Sequence, residues 1–81
     1  MARIDWVKRE TRNGITESWT AQFSNGTRET YSDETLPPIV TRFCRLARYA
    51  YKDMYGEYLG ELMVDWYSRK PMAPNERSVR R

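Results

Sequence analysis

The sequence contains no histidine. That removes the commonest general base near neutral pH, every His-dependent triad and imidazole metal ligation. It contains one cysteine, Cys44. A lone cysteine forms no internal disulfide, and without histidine it supports neither a structural zinc site nor an activated thiolate. Glycine and proline are sparse, four of each, so they read as punctuation and not as a low-complexity linker. No apolar run approaches the ~18–20 residues of a spanning helix. Met1 leads into Ala2-Arg3-Ile4-Asp5, which has no apolar core of a secretory signal, so a cytoplasmic location is expected.

What is present fits one small domain. The chain has 81 residues, 40% hydrophobic and 31% charged, a balance of globular and not of disordered chains. Aromatics reach 14%, which gives a short chain large side chains to bury. The net charge is +3, mildly basic and informative only through its distribution.

Residues 1–32 read as three strands. Ile4, Trp6 and Val7 lie in a first run that ends at Arg12-Asn13-Gly14. Asn-Gly is a strong hairpin signal because both residues tolerate positive φ. In the second run Ile15, Trp19, Ala21 and Phe23 share one parity, and Thr16, Ser18, Thr20, Gln22 and Ser24 share the other. This is the pattern of a half-buried strand. A three-residue loop Ser24-Asn25-Gly26 then pairs Trp19 with Tyr31 on the core face. A two-residue loop Asn13-Gly14 puts Ile4 and Trp6 on that same face and sets Glu10 opposite Glu17, whereas a three-residue loop pairs Arg9 with Glu17 but turns Trp6 to solvent. The first is preferred, because burying a tryptophan outweighs one mild repulsion.

After Ser32-Asp33-Glu34-Thr35, Pro37 and Pro38 suit a helix start. The apolar stripe of Leu36, Ile39, Val40, Phe43, Leu46, Ala47, Ala50 and Met54 runs at helical spacing. Beyond Tyr55 the phase moves to Tyr58, Leu59, Leu62, Met63 and Trp66. One straight helix cannot bury both stripes. The expected fold class is therefore α+β: a three-stranded antiparallel β-meander followed by two C-terminal α-helices, 37–54 and 57–69, with a break near Gly56. Residues 1–70 form the expected single domain, and the basic, proline-containing tail 71–81 is expected to be disordered.

The first of these helices carries Arg42, Arg45, Arg48 and Lys52 without an acid; the segment after it carries Asp53, Glu57, Glu61 and Asp65 without a base. The basic ridge fits a row of phosphate contacts. It equally fits an intramolecular ion-pair ladder with the acidic row, or an antiparallel homodimer that pairs the two. The polar sheet face, Ser18, Thr20, Gln22 and Thr30 flanked by Arg9, Arg12 and Arg28, fits base-edge contact, and also fits an ordinary solvated surface. An i, i+4, i+8 row of acids spreads charge along a helix and does not converge on a metal, so no metal and no cofactor are expected. Tyr49 and Tyr67 fall outside the stripes and read as exposed; Cys44 reads as a small core filler.

The order of three strands and a helix, with Trp19-Thr20-Ala21, the Asn25-Gly26 turn and Tyr31, is loosely similar to arm-type DNA-binding domains of phage integrases. Those features are generic to hairpins and assign no family. The expectation is a small, non-catalytic nucleic-acid-binding protein using Arg9, Arg12, Gln22, Arg28, Arg42, Arg45, Arg48 and Lys52. The alternative is a protein-interaction module, an adaptor or an inhibitor of a larger enzyme, of a size that fits a phage or plasmid product. It would use Asp53, Glu57, Glu61, Asp65, Tyr49 and Tyr67.

Overall fold

A computed structural model describes residues 2–51 and 57–69, with side chains at 2–47 and 60–69. The chain folds as β1 (Ile4–Arg12), β2 (Ile15–Phe23), β3 (Arg28–Tyr31), α1 (Pro38–Tyr51), β4 (Glu57–Leu59) and β5 (Leu62–Ser68). All neighbouring strands run antiparallel in one sheet of order β3-β2-β1-β5-β4. The class is α+β, but the expected second helix does not exist. Its residues form the β4–β5 hairpin, and β5 adds to the free side of β1, which becomes the central strand.

The local reason lies in residues 57–68. Leu59, Leu62, Met63 and Trp66 stand at i, i+3, i+4 and i+7, yet Leu62, Val64 and Trp66 also alternate with Met63, Asp65 and Tyr67. In so short a window the two periods overlap, and composition decides. Tyr58, Val64, Trp66 and Tyr67 are β-branched or aromatic. Gly60 has φ +65° while Glu61 does not enter positive φ, and Leu59 faces Leu62. This is a two-residue turn of the type with glycine at its first central position, matched to strand twist. The phase shift that suggests a helix break is thus a change of period from 3.6 to 2. Residues 52–56, including the expected break at Gly56, lie outside the described residues, as does the tail 71–81.

The first hairpin turns at Asn13 (φ +54°) and Gly14 (φ +79°), the two-residue loop expected, but its register then slips. Thr11 faces Thr16 while Glu10 faces Ser18, leaving Glu17 as the extra residue of a β-bulge. The bulge separates Glu10 from Glu17. Glu10 accepts a hydrogen bond from Ser18 Oγ at 3.1 Å, and Glu17 accepts one from Arg12 Nε at 3.1 Å. The same slip turns Trp6 onto the face opposite Trp19 and leaves Ile15 71% exposed, which corrects the expected core position of both. A second irregularity at Asp5 returns Ile4 to the core side, facing Phe23. The second hairpin has the expected register, Trp19 opposite Tyr31, with Gly26 at φ +91° closing the loop.

Helix α1 begins at Pro38, where the missing N–H is no loss. Pro37 O accepts hydrogen bonds from the amides of Val40 (3.0 Å) and Thr41 (3.1 Å). The helix buries a narrow stripe, Val40, Phe43, Cys44 and Ala47, against Val7, Ala21 and Tyr67 of the sheet. Ile39 and Leu46, expected in the stripe, are 63% and 55% exposed, because a single helix on a flat sheet needs only one line of contact. Tyr67, expected at the surface, is 5% exposed in the core: it is the residue of β5 that faces Val7.

Candidate functional site

Antiparallel pleating sends alternate side chains to opposite faces. One face carries Val7, Ala21 and Tyr67 under α1. The other carries Trp6, Lys8 and Glu10 from β1, Ser18, Thr20 and Gln22 from β2, Arg28 and Thr30 from β3, and from β5 Trp66 between the buried Val64 and Ser68. Among the described residues no helix or second layer covers this face.

Two tryptophans meet at its centre. Trp6 and Trp66 pack edge to face with ring centroids 5.1 Å apart. Lys8 Nζ lies 5.6 Å from the Trp66 ring centroid, and Arg28 Cζ lies 5.3 Å from that of Trp6. The aromatic quadrupole attracts each cation. Trp66 Nε1 is buried without a hydrogen-bond partner among the described residues. Around the pair the polar groups hold one another. Arg28 Nε donates to Gln22 Oε1, Gln22 Nε2 donates to Phe23 O at 3.3 Å, and Thr20 and Thr30 hydroxyls lie 3.5 Å apart. The one carboxylate on this patch, among the described residues, is Glu10. It is engaged by Ser18 and lies 3.7 Å from Lys8 Nζ.

The structure divides the residues expected to act together. Gln22 and Arg28 sit on the open face. Arg42 and Arg45 are exposed on α1, on the other side of the sheet. Arg9 belongs to neither surface. Its guanidinium donates to Asp65 Oδ2 at 2.6 Å and lies 5.3 Å over Trp19, which stacks on Tyr67. Burial works against the Arg9 charge, but the Asp65 hydrogen bond and the nearby negative groups outweigh it and hold the pKa above its ordinary value. Arg12 is paired with Glu17 and lies 3.5 Å from Glu61. The side chain of Arg48, and Lys52, lie outside the described residues.

The acidic set is dismantled as well. Asp65 neutralises Arg9, and Glu61 sits in the β4–β5 turn beside Arg12. They are partners of the central strand and not of the α1 ridge, so the expected helix-to-helix ladder is replaced by strand-to-strand pairs. Asp53, and the side chains of Glu57 and Tyr49, lie outside the described residues. Cys44 is the core filler expected: it is 7% exposed, and burial pushes its thiol up to about 12, against a smaller downward pull from Arg9. No group of three or more metal-ligating side chains occurs among the described residues.

The Trp6–Trp66 pair is what sequence reasoning missed. Trp66 reads as a helical stripe residue, and Trp6 as core. The available signal was the Glu10–Glu17 clash, which a bulge relieves at the cost of moving Trp6. Compared with protein-family models, with curated proteins and with solved structures, the chain matches none. Among the described residues, no helix is long and apolar enough to cross a membrane.

Proposed function

We propose that the protein binds single-stranded nucleic acid across its open sheet face. The observation that carries this reading is the Trp6–Trp66 pair on the sheet face opposite α1, with Arg28 and Lys8 over the two rings. Every base offers a π-face, so an aromatic platform beside cations takes bases by stacking and phosphates by charge. An exposed cation–π contact is worth about 0.5–1 kcal/mol, whereas stacking a base on an aromatic side chain is worth about 1–3 kcal/mol. A base therefore displaces the cation from the ring and leaves it free to meet the adjacent phosphate. The Gln22–Arg28 bond and the Thr20–Thr30 contact hold the flanking groups in place.

Duplex DNA fits this face less well. Five strands at about 4.8 Å spacing span ~19 Å, wider than the ~12 Å major groove. The protein-module alternative is supported less, since the acidic second helix it relied on is a β-hairpin and Tyr67 is buried. A non-catalytic, cytoplasmic protein is part of the same proposal.

The test is anisotropy of a labelled oligothymidylate, titrated at several salt concentrations. Binding at 50 mM salt is expected, with log affinity falling against log salt by about 0.7 per phosphate contacted. Trp6→Ala should weaken it about 10-fold or more, in line with the loss of one stacked base. Arg28→Glu should weaken binding and flatten the salt slope, with circular dichroism confirming the fold in each case. Absence of binding at 50 mM salt sinks the proposal. So does loss of binding in Arg45→Glu with Trp6→Ala unaffected, which moves the interface to α1.

A further inference from the structure

Between the first turns of α1, the start of β1 and the end of β2 lies a cleft of about 400 Å³, within the size range of small-molecule sites. Its apolar floor is Ile4, Phe23, Ile39 and Phe43, and Arg3, Arg42 and Arg69 rim it. No acidic side chain lines it among the described residues. Arg69 Cζ lies 5.5 Å over the Phe43 ring. All three arginines are exposed, and none forms an ion pair with another described residue. Elsewhere the cations of β1 have carboxylate partners: Lys8 has Glu10, Arg9 has Asp65, and Arg12 has Glu17. The cleft is where three come together without one among the described residues.

Each guanidinium presents a planar fork of donors that suits an oxyanion. Three of them call for more than the single charge of a carboxylate; a phosphate monoester carries about −1.5 to −2 near neutral pH. The floor is apolar and aromatic, so the rest of the ligand is a flat, weakly polar body. We infer that this cleft binds a phosphate monoester carried on a planar ring system, the chemistry of a nucleotide. The ligand is either a free mononucleotide or the phosphorylated end of a strand. The inference is independent of the sheet-face reading, because Phe43 and Ile4 lie on the α1 side of the sheet and Trp6 on the other.

Adenosine monophosphate, adenosine and inorganic phosphate, titrated at 50 mM salt and followed by amide chemical shifts, test it. The monophosphate should bind at least about 10-fold tighter than either fragment, because only it engages both the rim and the floor. Arg42→Gln, an exposed change on α1, should weaken it about 5-fold or more through the lost fork. Ile39→Asn should weaken the monophosphate and leave inorganic phosphate unchanged. A 5′-phosphorylated trinucleotide that competes with the monophosphate, where its 5′-hydroxyl form does not, assigns the ligand to strand ends; no competition assigns it to free nucleotides. Equal binding of adenosine or of phosphate alone overturns the inference, and so does unchanged affinity in Arg42→Gln. Trp6→Ala should leave the monophosphate affinity intact; loss there puts the nucleotide on the sheet and refutes the cleft.

Discussion

Cys44 and Arg9 show how far single residues could be read. The Cys44 thiol is buried between α1 and the sheet, and helical spacing alone placed it at the stripe edge. Its acidity has a consequence for stability. The folded-state value, about 12, lies above the ordinary 9.0. The stabilisation is therefore fully present below pH ~9 and is lost as pH rises through the folded value. Between pH 8 and pH 10.5 the native chain should lose on the order of 1–2 kcal/mol more than Cys44→Ala, measured by urea unfolding at the two pH values. Equal losses would show that the thiol is not desolvated. Arg9 was less legible. Its sequence neighbours are polar, and nothing local says that the chain will bring Asp65 to within 2.6 Å of it from 56 residues away. A charge that looked available for a ligand is neutralised by a residue of the strand next door.

At the scale of elements, turns were more legible than the pairing of the strands they join. Asn13-Gly14 and Ser24-Asn25-Gly26 could be recognised because glycine and asparagine tolerate positive φ, and the second loop fixed the Trp19–Tyr31 pairing. The bulge at Glu17 has no such marker, and it decides which face receives Trp6. The β4–β5 hairpin was misread for a physical reason: in twelve residues apolar spacing fits both periods, and the pairing partner that selects strand is β1, far away in sequence. Gly60 was the overlooked marker. A Cβ there would meet nothing within 4 Å, yet φ is +65°. Gly60→Ala should therefore cost about 1–2 kcal/mol through backbone strain alone, while Glu61→Ala next to it, losing one exposed ion pair, should stay within about 0.5 kcal/mol. Urea unfolding of both variants checks this; equal costs would mean that the turn conformation carries no strain.

For the whole molecule, the first three strands and α1 were legible because strand and helix signals separate cleanly before Tyr51, whereas the expected three-strand, two-helix fold was not the one formed. The candidate site was legible only in part: Gln22 and Arg28 stand on the open face as the alternation in β2 implied, but the tryptophans at its centre depend on a bulge and on a hairpin formed later in the chain. The division of cations between two sides also depends on the sheet having a helix on one face only. No periodicity within one element reports that.

The central strand is the first one made, and one of its two neighbours is the last. During synthesis β1, β2 and β3 can assemble as soon as they emerge, but one edge of β1 stays bare until Ser68 has left the ribosome. An unpaired strand edge invites pairing with other chains. A version ending at residue 56 should therefore self-associate, seen as concentration-dependent mass in sedimentation, where the full chain does not show that dependence. A monomeric, folded fragment would contradict this. Translation of the final dozen residues of the sheet is thus the step that replaces the nine-residue bare edge of β1 with the three-residue edge of β4.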